Sequence, residues 1–361
     1  MESRIRIKDI AKLAGVSPGT VDRVIHKRGN VSAKSKLLIL EVMEKMGYQP
    51  NIIASTLALN RNLHIAILLP NPEQDIYWRL PLEGALKALK QVNHYGVGFS
   101  QHFFDLFSPQ DFQLKAKILL NQNPSPDAII VSPIFFEQGA EFLEKCAENQ
   151  FPLITINTNT DSPLALSYIG QDSYQSGVLA GKLLNFGLKN NSSVLITNLD
   201  NSTEYSRHLK EKEKGFRDYF VENNLKTEVI KLHIEEFENK PLIRKEVSKI
   251  LQSTNNLSGI FVTNSRAYHL VEACIDFLPS HIRLVGYDLI PPNLKLLEQE
   301  KIHFLINQNP VQQGYLAVMS LVNFILYKKL PDYYQYLPLD IVVRENVKYY
   351  LRKEEEFEII I

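Results

Sequence analysis

The chain carries only two cysteines, Cys146 and Cys274, in 361 residues. Each falls in a helical pattern far from the other, which excludes a disulfide-built scaffold and suggests buried thiols in a reducing compartment. No apolar run is long enough to span a bilayer, and the charged start through Lys12 makes no secretory signal. A cytoplasmic protein without a membrane partner is expected. Several motifs of common enzymes are missing too: there is no P-loop, no complete G-x-G-x-x-G and no H-E-x-x-H. Gly96-Val97-Gly98 is an isolated pair of glycines, and the nine histidines show no metal-ligand spacing. No catalytic residue, metal or cofactor is expected.

Net charge is also absent, with 40 Lys and Arg against 40 Asp and Glu. The balance conceals an asymmetry: residues 1–61 hold eleven basic against five acidic side chains, and the remainder 29 against 35. A basic head on an acidic body is the pattern expected if only the head meets phosphate.

Within that head, Ile10, Leu13 and Ala14 recur at helical spacing, Gly15 permits a left-handed turn and Val16 plugs the corner. Ser17 can cap a second helix, and Pro18 suits its first turn. On that second helix Val21, Val24 and Ile25 share one face, while Pro18, Gly19, Asp22 and Arg23 share the other. A third helix opens at Ser32, runs through Leu37, Leu40 and Met43, and stops near Gly47. Two helices at this spacing can be an ordinary helical hairpin, or a helix-turn-helix whose outward face enters the major groove. The basic charge favours the second.

The run Asp9-Ile-Ala-x-x-Ala14-Gly15-Val16-Ser17-x-x-Thr20-Val21-x-Arg23-Val24, followed by Gly47-Tyr48-x-Pro50-Asn51-x-x-Ala54-x-x-Leu57, resembles the LacI/GalR family of bacterial transcription regulators. The resemblance implies operator DNA as partner, contacted from Pro18, Gly19, Thr20, Asp22, Arg23, Asn30, Ser32, Lys34, Asn51, Ala54 and Leu57. It also implies a hinge helix over 50–61 whose Leu57 wedges into the minor groove, so that DNA deformability is read. A plain linker is the alternative for that segment.

Several departures change the expectation. Arg6 stands where a capping Thr is usual, a loss of about 1 kcal/mol that Asp9 in the first turn can partly offset. Asp22 replaces the usual Ser and brings a carboxylate near phosphates, where it can accept from a cytosine amino group. Ser55 replaces an Arg, and Pro18 and Gly19 have no hydrogen-bonding side chains. Direct base reading therefore falls to Arg23, as a bidentate partner of guanine or as a phosphate contact, with Thr20 second.

From His64 onward short apolar runs alternate with longer amphipathic ones. The runs are 65–69, 128–131, 153–156, 194–197, 259–262, 283–286 and 304–306, and helical stretches include 82–92, 110–120, 177–184, 244–251 and 311–326. Strands of nearly continuous apolar residues separated by helices predict parallel sheets covered on both faces. The length favours two halves. Nearly every strand ends in a polar group, namely Asn71, Ser132, Asn157, Asn198, Asn264, Asp288 and Gln308. Ligands of open parallel sheets bind beyond the strands' carboxyl ends, so these groups can converge on one cleft, although Asn and Asp are also turn formers. Trp78, the single tryptophan, follows Asp75 and Tyr77 after the first strand. It can stack on the apolar face of a sugar or pack on its own helix.

The family resemblance adds a body similar to periplasmic sugar-binding proteins. Through matching positions it implies Asp172, Asn264, Asp288 and Gln308 as effector contacts. Lys212 stands where the family often has an effector-binding Arg; a Lys loses the planar fork, and nearby Arg207 is a substitute candidate. With Asp75, Tyr77, Trp78, Ser132 and Asn157 these complete the candidate set.

The expected layout is an all-α helix-turn-helix headpiece (1–49), a hinge (50–61), an α/β effector and dimerisation domain of two doubly wound parallel-sheet subdomains (62–345), and a tail (346–361). The subdomain division is placed at 64–165 plus 309–335 and 166–308 plus 336–345. The tyrosines at 333, 334, 336, 349 and 350 are read as partner surfaces or as packing, and Glu354–Ile361 shows no motif. The function expected is a homodimeric regulator, a repressor, of a pseudo-palindromic operator under a sugar-like effector, nucleoid-associated when bound. A nucleobase or other polar metabolite as effector is the alternative. An enzyme with a regulatory head, such as a sugar kinase, would need phosphate-binding glycines that are absent.

Overall fold

The structure, a computed structural model, describes residues 7–25, 31–46, 63–189, 191–200 and 207–351. The chain divides into two compact units, the headpiece falling in one and nearly all of the two sheets of the body in the other.

In the headpiece, α1 (Ile7–Leu13), α2 (Pro18–Ile25) and α3 (Ala33–Lys45) enclose a small core of Ile10, Ala11, Ala14, Val21, Val24 and Ile39. Gly15 takes φ 61° at the corner, a conformation costly for any residue with a Cβ. Ser17 Oγ accepts from Thr20 N at 3.1 Å, and Ser32 Oγ from Ser35 N at 3.2 Å, so both hydroxyls cap their helices. The core differs from expectation at three leucines: Leu13 (62% exposed), Leu37 (62%) and Leu40 (45%) face outward. Ala11 and Ile39, one position away from the expected stripe, fill the centre, because three short helices meeting at one point bury a narrower stripe than a long packed helix does. Gly47 and the hinge segment 50–61 lie outside the described residues.

The body holds twelve described strands in two sheets. The first contains β1 (Leu63–Pro70), β2 (Val97–Phe104), β3 (Ala128–Val131), β4 (Leu153–Ile156), β5 (Ser167–Gly170) and β11 (Tyr334–Tyr336), in the order β11-β5-β4-β3-β1-β2. The second contains β6 (Ser193–Leu199), β7 (Glu228–Ile234), β8 (Leu257–Val262), β9 (Arg283–Tyr287), β10 (Phe304–Asn307) and β12 (Asp340–Val342), in the order β12-β10-β9-β8-β6-β7. Ladders β1–β3, β3–β4, β4–β5, β6–β8 and β8–β9 run parallel, and β12 pairs antiparallel with β10.

The helices of the body are α4 (Arg79–Val92), α5 (Pro109–Leu120), α6 (Phe136–Glu148), α7 (Ser173–Asn185), α8 (Arg207–Glu222), α9 (Lys240–Ser253), α10 (Ala267–Cys274), α11 (Pro291–Glu298), α12 (Pro310–Tyr327) and α13 (Val347–Tyr350). The second sheet shows why its strands read as unbroken apolar runs. Leu195, Ile260, Leu284 and Leu305 pack on one face with α9, α10 and α11, while Val194, Ile196, Phe261, Val285 and Ile306 pack on the other with α7 and α8. Neither face meets water, so alternation disappears. Each such Val, Leu or Ile contributes about 1.5–3 kcal/mol on full burial.

Strand pairing moves the boundary between the lobes. Ser167–Gly170 pairs with β4, and Tyr336 with Gly170, so both belong to the first sheet rather than to the second half as expected. The chain therefore crosses between lobes at 171–172, 308–309 and 337–339. A four-residue strand flanked by polar residues carries too little periodicity to announce its sheet. The expected tail also starts too early, because Val347 is buried in the core of the second lobe.

Candidate functional site

A cavity of about 160 Å³ lies between the lobes, beyond the carboxyl ends of the strands. The first lobe lines it with Asp75, Tyr77, Trp78 and Asn157, together with Leu106, Phe107, Ile134 and Phe135. The second contributes Asp200, His208, Lys212, Asn264, Arg266 and Asp288, and Gln308 lines it from a crossover.

The turn after β1 is built by Asp75, whose Oδ1 accepts from Tyr77 N at 3.0 Å. That short helical turn presents Tyr77 and Trp78 edge to face, 5.1 Å apart, with Trp78 only 5% exposed. Asn157 Nδ2 donates to the Tyr77 hydroxyl at 2.7 Å, and burial holds that phenol well above its ordinary pKa. Asn157 and Asp288 both sit at left-handed φ, 65° and 64°. Asn and Asp tolerate that conformation best among residues with side chains, which is why they can end strands while turning a polar group into the cavity.

Lys212 is positioned by helix packing. On α7 and α8, Cβ atoms added at Gly177 and Gly215 would stand 2.0 Å from the carbonyl oxygens of Lys212 and Tyr174. The two backbones touch only because both residues are glycine. Lys212, 1% exposed, donates to Thr263 O at 3.1 Å and Gln308 Oε1 at 3.3 Å, and its ammonium lies over the Tyr287 ring. Asp288, fully buried, accepts from Gln308 Nε2 at 2.5 Å and Gln308 N at 3.3 Å. Burial pushes the Asp288 pKa up and the Lys212 pKa down, and attraction between the two opposes both shifts. Gln308 Oε1 also accepts from Gln171 Nε2, so one amide at a crossover connects Lys212, Asp288 and the neighbouring crossover.

Arg266 and His208 went unnoticed in the sequence. Arg266 bonds Asp75 of the first lobe and Asp200 of the second. Burial lowers its pKa, but the two carboxylates more than offset this. Burial, with Lys212 and Arg266 nearby, pulls His208 down to about 3, so its ring is neutral at physiological pH. The sequence signal for Arg266 was weak, a lone Arg two residues after a strand-ending Asn.

Three of the candidate effector contacts do not line the cavity, and neither do the strand-ending Asn71 and Asn198. Asp172 instead caps α7, its Oδ1 accepting from Gln175 N at 2.9 Å. Arg207 is drawn away by Asp161 and Glu211. Ser132 is buried under its own strand end, where its backbone N–H donates to Leu68 O at 3.2 Å. Asn264 lines the cavity, but its Nδ2 donates to Leu199 O at 2.9 Å and its Oδ1 accepts from Arg266 N at 3.1 Å, so it also braces the turn.

On the headpiece, Pro18, Gly19, Arg23, Ser32 and Lys34 are exposed, and Thr20 and Asp22 are partly so. The Thr20 hydroxyl lies 2.9 Å from Ser17 Oγ, and the Ser32 hydroxyl caps α3. Asn30, Asn51, Ala54 and Leu57 lie outside the described residues. Among the described residues no cluster of His, Cys, Asp or Glu could hold a metal, and no helix is long and apolar enough to cross a membrane.

Comparison with known proteins agrees with this architecture. Residues 65–329 match the periplasmic binding protein domain, and residues 6–51 match the bacterial regulatory proteins of the lacI family. The HTH-type transcriptional regulator MalR of Streptococcus pneumoniae is 25% identical, covering 84% of this chain and 94% of its own. The sucrose operon repressor of Streptococcus mutans is 24% identical, covering 90% and 92%. In fold, the body is similar to GanP, a glucose-galactose binding protein from Geobacillus stearothermophilus, with TM-score 0.69 and 19% identity over 80% of this chain and 99% of that one. A helix-turn-helix matched at one end and two doubly wound lobes around a polar cleft at the other lead to one assignment: the chain belongs to the LacI family of bacterial regulatory proteins, a transcription regulator with a DNA-binding headpiece and a periplasmic-binding-protein domain.

Proposed function

We propose that the cavity binds a sugar-like effector and that its occupancy sets the headpiece's affinity for operator DNA. The observation that carries this is the pairing of Tyr77 and Trp78 with Asp75, Asn157, Arg266 and Asp288 around one cavity. Aromatic faces suit the C–H surfaces of a sugar, and amides and carboxylates suit its hydroxyls. A sucrose operon repressor and a ribose operon repressor stand among the relatives, which supports the same ligand class. The chain acts as a cytoplasmic homodimer on a pseudo-palindromic operator, since helix-turn-helix readers pair their half-sites by two-fold symmetry. It is a regulator without enzymatic activity. Arg23, Thr20 and Asp22 face DNA from α2, Ser32 and Lys34 from α3, and Leu57 from the hinge. An effector regulates only by binding the DNA-competent and incompetent states unequally.

A thermal-shift panel of mono- and oligosaccharides tests the ligand class. A hit is confirmed by a change in Trp78 fluorescence and by operator binding with and without it. Stabilisation by purines and by no sugar would replace the proposed effector, and a hit that leaves the Trp78 spectrum unchanged would remove the stacking role.

A further inference from the structure

Arg266 sits where β8 hands over to α10, two residues beyond the strand-ending Asn264. Its Nη1 donates to Leu199 O at 2.8 Å and to Asp200 Oδ1 at 3.1 Å, and its Cζ lies 4.1 Å from the centroid of Phe237. All three partners belong to the second lobe. Its other edge crosses the cleft: Nε and Nη2 donate to Asp75 Oδ2 at 3.1 and 2.9 Å. Asp75 is itself fixed, because its other oxygen caps the Tyr77 turn. Phe107 of the first lobe adds an apolar contact across the same gap, 6.0 Å from Phe237.

The three charged side chains are largely buried, at 7% for Arg266, 11% for Asp75 and 20% for Asp200. A buried guanidinium is tolerated only when its donors are met, and a planar fork can meet partners on two edges at once, as an ammonium cannot. Separating the lobes would leave the Asp75 edge unanswered. Lobe approach and charge satisfaction are therefore the same event at this residue.

We propose that Arg266 is a positioning residue that holds the two lobes together through Asp75 and so sets the Tyr77–Trp78 turn against the cavity. The contact is direct, from one lobe's carboxylate to the other lobe's guanidinium, so it favours closure whatever the ligand is. The effector then completes a closure that the protein's own charges already favour.

Trp78, the single tryptophan, reports on this without any ligand. Acrylamide quenching of the full chain is compared for wild type, Arg266→Gln, Asp75→Asn and the double variant, with circular dichroism as the folding check. Each single variant should raise the quenching constant about two-fold or more as the open population grows. The double should go no further than the larger single, because both remove one shared contact. Arg266→Lys should restore little, and Asp200→Asn should have the smaller effect, because Leu199 O and Phe237 still anchor the guanidinium. Should Arg266→Gln fail to fold, Asp75→Asn decides alone, since Asn keeps the cap on Tyr77. Unchanged quenching in Asp75→Asn, or additive effects in the double variant, would overturn the proposal.

Discussion

The ammonium of Lys212 stands 3.7 Å from the centroid of the Tyr287 ring. A cation held over a ring face, donating to a carbonyl and an amide, is spent on internal contacts. This explains why a Lys serves at a position where the family resemblance suggested an effector-binding Arg. The residue supports the cavity wall and balances Asp288.

That balance predicts a coupled pair. Lys212→Met leaves the Asp288 carboxylate buried without its cation, and Asp288→Asn strands the ammonium; each should cost about 3 kcal/mol or more. The double variant should cost less than the sum. Urea unfolding of the four proteins measures this, and strictly additive costs would show that the two charges do not support each other.

Gly177→Ala should be more harmful than its size suggests. The new methyl would lie 2.0 Å from the Lys212 carbonyl oxygen, so α7 and α8 must part. The expected loss is about 1–3 kcal/mol or more, with weaker effector binding because Lys212 moves with its helix. A variant as stable as wild type would refute the close approach.

His208 gives the protein an acid sensitivity. Its folded pKa, about 3, lies below its ordinary 6.5, so the unfolded chain takes up a proton that the folded chain refuses. The stability it contributes is present above 6.5 and is lost as pH falls toward 3, with a slope of up to about 1.4 kcal/mol per pH unit. His208→Asn should flatten the stability profile between those values. Identical slopes in urea titrations across that range would contradict it.

The cavity's charges predict discrimination against anionic ligands. Asp75, Asp200 and Asp288 line it, and its two cations, Arg266 and Lys212, already have partners. If a sugar binds, its phosphate ester should bind about ten-fold more weakly or worse, because the added charge meets carboxylates. Titration calorimetry of the matched pair decides, and a tighter ester would refute the charge argument.

On the headpiece, Arg23 is exposed at the outward face of α2. Arg23→Ala should cost about 1–3 kcal/mol at one base pair of the operator and relax preference there. An equal loss for every operator sequence would make it a phosphate contact instead.

Much of this was legible in residue order, for identifiable reasons. Gly15, Ser17 and Pro18 act through local backbone chemistry, so the headpiece turn could be read directly. Strand-ending residues such as Asn157, Asp288 and Gln308 could be read because the carboxyl ends of a parallel sheet face one way. Asp172 misled because the same carboxylate caps a helix or meets a ligand equally well. Arg207 misled because Asp161, 46 residues away, captures it.

The sequence by itself determined the class of protein, the helix-turn-helix and the two-sheet body, since these follow from caps, turns and periodicity within short windows. Only the tertiary structure decided that Ser167–Gly170 joins the first sheet, that Lys212 turns to Tyr287, and that Arg266 meets Asp75. Arg266 and Asp75 lie 191 residues apart. A buried charge selects its partner by what the fold brings within about 3 Å, and no local pattern records that distance.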